Sequence, residues 1–388
     1  MDFRDDAAQT KFREEVRVFL AAEAPREYTV EHKPHVDSYG RGDDLLLGWR
    51  KKVAKQGWLA AHWPKEYGGA GLSVMEQFIL KEEFALYRVP HTGARSTDMV
   101  GPTVILHGSE EQKQRMLPPI LSGEHWYSQG FSEPQAGSDL AAVQLKATRD
   151  GDEYVLNGQK IWTSNAATCN WMFLLARTDP EAPKHRGISY FVMQQDVPGL
   201  DVRPIANMTG GGDLAEVFFD DVRIPVGNRI GEENRGWYVA MTTLDFERSG
   251  IAGTVALQQD VLGLVEQAKA TGKWDRWGSR LADFYVAAEV GRMMSIQIAS
   301  LQERGNVPNY EASVVKLFSS ELGQRFANQR VLMFGLAGIL REGSNGHEIN
   351  DGRYALNYMG VIPSTIAGGT SEIQRNIIAT RGLGLPRG

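Results

Sequence analysis

The sequence predicts an α+β protein: an N-terminal helical domain (residues 1–126), a central antiparallel β domain (127–233) and a C-terminal helical bundle (234–388). Three observations predict it. Apolar residues recur at helical spacing near both ends of the chain. The middle stretch changes to short aromatic and β-branched runs separated by turn signals. At 388 residues, the chain also exceeds the roughly 100–200 residues of one domain.

From the N-terminus, Phe12, Val16, Phe19 and Leu20 mark one face of a helix. Asp5 and Asp6 suit its first turn, where acidic groups meet the unpaired amides, and Pro25 ends it. Leu45, Leu46 and Trp49 open a second helix and VMEQFILKEEFAL a third, with the loop WPKEYGGAGLS between them. In the middle domain, LKATRDGDEYVLNGQKIW carries Asp150-Gly151 and Asn157-Gly158, both read as hairpin turns. WMFLLAR, GISYFVMQ and AEVFFDDVRIP are further strands. Helices return with one long pattern, MTTLDFERSGIAGTVALQQDVLGLVEQAKA. RWGSRLADFYVAAEVGRMMSIQIASLQERG and EASVVKLFSSELGQRFANQRVLMFGLAG follow, then a short helix over about 370–380.

Composition excludes several function classes. A net charge of −6 without a basic cluster gains little from neutralising phosphates, so no nucleic-acid partner is expected. Cys169 is the only cysteine, which forbids an intrachain disulfide and fits a reducing cytoplasm. The charged start MDFRDDAAQTKFREE has no apolar signal core, and no apolar run approaches the ~20 residues of a membrane span. The expected location is cytoplasmic. Eight histidines lie without ligand spacing, so no metal site is expected. The glycine runs 68–71 and 210–212 follow no strand and open no helix, and read as plain turns rather than a dinucleotide fingerprint.

Two places break local rules. In SEPQAGSDL, small and polar residues crowd a loop beside an aromatic strand, as if something approaches the backbone closely. In STIAGGTSEIQR, a Gly-Gly pair precedes Thr370 and a helix, exposing amides that suit an anion or a polarised carbonyl. On the residues alone, an ordinary loop and an ordinary N-cap are the readings slightly favoured.

At these places the chain resembles the acyl-CoA dehydrogenase family. GFSEPQAGSDL is similar to its first signature, NGQKIWTSNA to its flavin-facing β segment, GGTSEIQR to its C-terminal signature, and YGGAGLS with the following helix to its N-terminal domain. The resemblance implies FAD, an acyl-CoA substrate and an electron-transfer flavoprotein as oxidant. It implies that Phe131 and Ser132 lie along the flavin, with Ser132 near the reactive ring edge. Trp162, Thr163 and Ser164 would cover the other side, Ser138 would meet the pantetheine arm, and Thr370 and Glu372 the ribityl and phosphate region.

Desaturation of a thioester needs a base of raised pKa and donors that polarise the carbonyl. Most of the family carries the base as a glutamate just before the Gly-Thr of the C-terminal signature; here that position is Gly368, whose amide is left to hold the thioester oxygen, with Gly369 beside it. A minority, similar to isovaleryl- and long-chain members, places the glutamate before an arginine on a long helix. Glu247-Arg248 supplies that pair, so the resemblance implies Glu247 as the base and Asp245 and Arg248 as contacts to CoA. Family homotetramers complete each FAD site from a neighbouring subunit. The R-x-x-F-G stretch used there is absent, and Leu332 and Leu336 stand where a glutamine and a glycine belong. Leucine cannot hydrogen-bond a diphosphate, and an unpaired buried phosphate oxygen is costly. The expectation is a base-bearing subunit whose site is completed by a second, related chain in an α2β2 tetramer, otherwise a homotetramer. Alternatives within the fold are a flavin monooxygenase, a nitroalkane oxidase-like enzyme or a non-catalytic partner subunit.

Overall fold

The computed structural model describes residues 4–29, 44–90, 95–247, 251–306 and 308–386, except the side chains at 245–247 and 251–253. In chain order the elements are α1 (Ala7–Glu23), α2 (Arg26–Thr29), α3 (Asp44–Lys55), α4 (Val74–Leu86), α5 (Gly101–His107) and α6 (Glu110–Ser122). Eight strands follow: β1 (Tyr127–Gly130), β2 (Lys146–Asp150), β3 (Glu153–Lys160), β4 (Trp171–Arg177), β5 (Ile188–Gln194), β6 (Leu200–Ile205), β7 (Leu214–Pro225) and β8 (Arg229–Ile230). Helices close the chain: α7 (Gly236–Glu247), α8 (Ile251–Ala270), α9 (Trp274–Glu303), α10 (Tyr310–Phe334), α11 (Leu336–Ile339), α12 (Arg353–Gly360) and α13 (Ser371–Ile377). This is the helix–β–helix order the sequence predicts. No helix among the described residues is long and apolar enough to cross a membrane.

Contacts gather the chain into two compact units, one from Pro34–Gly71 and Thr92–Glu247, the other from Met1–Lys33, Leu72–His91 and Arg248–Gly388. The first contains the sheet, in the order β6-β7-β3-β2-β4-β5-β8, with β1 joined to β4. Most pairings are antiparallel, as expected, but β1 and β2 each meet β4 in parallel. At β4 and β5 both faces are buried, which is why WMFLLAR and ISYFVMQ read as unbroken apolar runs. On one face Phe173, Leu175, Tyr190 and Val192 pack with Met99, Val104, Leu117 and Ile120. On the other, Met172, Leu174, Phe191 and Met193 pack with Leu156, Val217, Phe219 and Ile224.

A six-residue π turn, Arg95–Val100, leads into α5. Such wide turns free carbonyls from the helical ladder. Here the Trp63 indole donates to the Thr97 carbonyl (2.8 Å), and the fully buried Trp63 ring lies where a side chain on Gly101 would stand.

Two expectations are corrected in these elements. Asp150-Gly151 does turn β2 into β3, but Asn157-Gly158 lies inside β3. There the register against β7 shifts between Leu156 and Gly158. The extra residue lies on β7, where Asp220 and Asp221 face Asn157 alone and Asp221 turns to φ 50°; Gly158, at φ 137°, accommodates the bulge from the partner strand. Asn157 spends its turn-forming side chain on β7 instead, donating to Asp221 (2.9 Å) and accepting its amide (3.0 Å). The third C-terminal helix stops at Phe334, because Gly335 turns to φ 59° and α11 starts afresh.

In the second unit, no acidic residue lies in the first turn of α1: Asp6 stands before it as the cap, in a reciprocal bond pair with Gln9, and Asp5 pairs with Arg13 (2.6 Å). Val261, Leu264, Leu281, Phe326 and Met333 form the core shared by α8, α9 and α10. Beside it lies a buried charge network. Glu82 and Glu83 on α4 are 3% and 1% exposed. Arg13 donates to both (2.7 Å each), Arg17 to Glu83 (2.9 Å) and Arg292 to Glu82 (2.6 Å).

Candidate functional site

The loop after β1 and the end of β3 meet in the sheet unit. Ile161 donates its amide to the Ser132 carbonyl (3.0 Å). Phe131 is buried, its ring set edge-on to Phe173 and Tyr190 at 5.4 and 6.1 Å. What it offers a ligand is therefore its main chain rather than its ring. Ser132 and Ser164 are half-buried and Ser138 is exposed.

Beyond β3 the chain bulges outward and returns. Thr163 and Ala215 exchange both main-chain bonds (3.0 and 3.1 Å), which pins the return. Trp162 sits at the crest with φ 58°, a left-handed conformation costly for a bulky residue, and is 57% exposed. The Thr163 hydroxyl is fully buried and has no hydrogen-bond partner among the described residues. An exposed indole on a strained crest beside an orphaned hydroxyl fits a planar, hydrogen-bonding ligand.

Under this surface lies a pair the sequence did not single out. Lys160, fully buried, donates to Glu133 (2.7 Å) and to the Phe131 carbonyl (3.1 Å). Burial pulls its ammonium down to about 8, while the Glu133 carboxylate limits the drop. The available signal was a lysine at the end of a strand pattern, which more often marks a solvated edge.

The second cluster is the Gly-Gly turn before α13. Gly368 and Gly369 have φ 65° and 88°. Their carbonyls are held from one side: Gln374 donates to Gly368 (3.0 Å) and Gly369 (3.2 Å), and Lys316 to Gly369 (2.6 Å). Thr370 caps α13, its hydroxyl accepting the Ile373 amide (3.2 Å). Around it, a surface depression of about 450 Å³ is lined by Gln324, Arg325, Thr365, Thr370, Ser371 and Glu372. The buried Ser371 hydroxyl has no hydrogen-bond partner among the described residues. Glu372 is held below its ordinary range by its own amide and then by the Thr370 hydroxyl. Among the described residues, a Cβ at Gly368 would meet only Lys316, at 4.0 Å.

Glu247 is the last residue of α7, with Asp245 one half-turn before it. Their side chains and all of Arg248 lie outside the described residues. Leu332 and Leu336 are 55% and 81% exposed.

Comparison with known proteins follows the same order along the chain. Family models described as acyl-CoA dehydrogenase N-terminal, middle and C-terminal domains match residues 6–124, 128–222 and 234–383. Acyl-CoA dehydrogenase FadE26 of Mycobacterium tuberculosis is 36% identical, over 98% of this chain and 97% of its own. Two solved structures align over the full length of both chains at 34% identity. They are "Tcur3481-Tcur3483 steroid ACAD", with a TM-score of 0.88, and the ChsE4-ChsE5 complex from Mycobacterium tuberculosis, with 0.84.

Proposed function

The chain belongs to the acyl-CoA dehydrogenase family, and on that premise we propose that it desaturates an acyl-CoA thioester between Cα and Cβ with bound FAD. The observation that carries the cofactor is the strained, exposed Trp162 beside the orphaned hydroxyl of Thr163. Phe131 and Ser132 would hold the flavin through main-chain groups. Trp162, Thr163 and Ser164 would cover its second side and keep water away, and Thr370 and Glu372 would hold its ribityl and phosphate region. Bound there, FAD supplies the acceptor for the two electrons that leave Cβ.

Glu247 is the proposed base, taking the α-proton onto its carboxylate. The amide of Gly368, in a turn whose carbonyls are engaged by Gln374 and Lys316, would donate to the thioester oxygen with Gly369 beside it. Fixed donors of this kind stabilise enolate charge without reorganising. Ser138, Asp245 and Arg248 would contact the CoA portion. The three domains follow the family layout, at 1–126, 127–233 and 234–388.

The acyl group is proposed to be bulky, of the steroid side-chain type. The relative named "Tcur3481-Tcur3483 steroid ACAD" supports this, as does the lack of a side chain at Gly368. A second, related chain is proposed as partner in an α2β2 tetramer, with an electron-transfer flavoprotein as oxidant. Exposed Leu332 and Leu336, where the resemblance calls for a glutamine and a glycine, support the partner, and the ChsE4-ChsE5 relative is itself a complex.

The test is anaerobic flavin bleaching by a panel of acyl-CoA thioesters, using the chain co-expressed with its partner. Glu247→Gln keeps shape and loses basicity. It is expected to slow bleaching by at least ~10²-fold, the scale of general-base catalysis. Unchanged bleaching would remove Glu247 from the mechanism. Stoichiometric FAD in a stable homotetramer of this chain alone would remove the partner.

A further inference from the structure

Lys160 is a buried titratable group that the proposed chemistry does not use. Burying an ion pair is seldom kept for stability alone, since apolar groups of similar shape often serve as well or better. What an ion pair can do, and an apolar contact cannot, is hold particular polar atoms in place.

The polar atoms here are those of three segments. Glu133 accepts the amides of Gln144 (2.6 Å) and Leu145 (2.9 Å), which lead into β2, and the ammonium of Lys160 at the end of β3. Its own main chain exchanges two bonds with Ala136 (3.0 Å each). Lys160 reaches past Glu133 to the Phe131 carbonyl, and the next carbonyl, of Ser132, accepts the Ile161 amide. Two successive peptide units are thus fixed by their oxygens. A trans peptide is planar and carries its N–H opposite its C=O. Holding the Phe131 oxygen on Lys160 therefore aims the Ser132 amide away from Lys160. Among the described residues neither that amide nor the Ser132 hydroxyl has a protein partner.

We propose that Lys160 is a positioning residue: paired with Glu133, it holds the Phe131 carbonyl and so presents the Ser132 amide and hydroxyl to the flavin. This rests on the flavin reading above. The pair acts through Ser132 and need not touch the flavin. A merely structural pair would matter for folding and nothing else.

The test uses the wild-type holo-complex, Lys160→Met/Glu133→Gln, and Glu133→Gln alone. The double variant removes both charges at nearly constant shape, and circular dichroism reports its fold. Dye-coupled reductive titration with dithionite then gives the flavin midpoint potential without any substrate. The double variant is expected to favour oxidised flavin by at least tenfold, a shift of about 30 mV to more negative potential for a two-electron couple. Its kcat should fall about tenfold while KM for acyl-CoA stays within about threefold. Glu133→Gln, which keeps the ammonium on the Phe131 carbonyl, should shift the potential in the same direction by less, and decides the matter if the double variant does not fold. A folded variant with wild-type potential and kcat overturns the proposal alone. A wild-type complex that takes up no flavin overturns the reading beneath it, and the proposal with it.

Discussion

Replacing Gly101 by alanine tests the wedge of Trp63 against the π turn. A Cβ built there would lie 1.8 Å from Cζ2 of Trp63 and 2.6 Å from both Cε2 and Cη2. Carbon atoms need roughly 3.5–4 Å, so either the indole or α5 must move. Trp63 is fully buried, and its N–H holds the Thr97 carbonyl. Overpacking of this kind costs about 1–3 kcal/mol. If the indole swings away, the buried donor and acceptor it leaves cost about 1–3 kcal/mol more. Better helix propensity returns at most about 1 kcal/mol. The net loss is about 1–5 kcal/mol, or a melting temperature lower by about 2–20 °C at the ~2–4 °C per kcal/mol typical of units this size. Thermal melts followed by far-UV circular dichroism measure it. Gly48→Ala, where a Cβ meets nothing within 4 Å, is the control and should be neutral or slightly stabilising. In the background Trp63→Leu, which removes the clashing ring, Gly101→Ala should cost less than ~1 kcal/mol by the same contact argument. An undiminished cost in that background would refute the wedge.

Other perturbations probe other links. Glu83→Gln should lower stability by about 3–5 kcal/mol, because it leaves Arg13 and Arg17 facing a neutral, buried group. Glu14→Gln, which loses only an exposed pair with Arg17, should cost under ~1 kcal/mol in the same melts. Gly369→Ala combines a positive φ with a Cβ 2.6 Å from Gln374 Nε2. It should cost about 2–3 kcal/mol and loosen flavin retention, read by gel filtration of the holo-complex. Burial holds His125 below 6.5, with Glu124 acting the other way. Below pH 6.5 the unfolded chain therefore binds more protons than the folded one, and stability falls as pH falls through that window. His125→Phe, keeping a ring on Trp171, should flatten the slope of melting temperature between about pH 6.5 and 5. The remaining slope includes His107, which burial shifts the same way.

The fold order was legible because it rests on local pattern: period-3.6 apolar faces at the ends and short aromatic strands between. What pattern could not supply was choice among partners. Asn157-Gly158 has the chemistry of a hairpin, and only the pairing of β3 with β7 keeps it inside a strand, opposite a bulge. The parallel joins of β1 and β2 to β4 link segments far apart in sequence, which no local window contains. For the site, the motifs marked Ser132, Trp162 and Gly368, whereas the residues that hold them did not stand out. Lys160, Glu133 and Gln374 are ordinary residues until packing buries them, and Lys316, half-buried, is ordinary until it meets Gly369. The wide turn at Arg95–Val100 was equally hidden, and the indole that donates to it, Trp63, lies 34 residues before Thr97.

The grouping of the chain's first helices with its last has a consequence in time. Glu82 and Arg292 are separated by 210 residues, and synthesis at ~5–20 residues per second parts their emergence by about 10–40 s. For that interval Arg13 and Arg17 are the only arginines of the network available to the two carboxylates, and the apolar side of α4, Phe78 and Ile79, awaits helices not yet made. The sheet unit is complete as soon as α7 has left the ribosome. A nascent chain arrested there would hold a finished sheet unit and a bare, charged pair of helices. That intermediate is the one a holdase would be expected to meet.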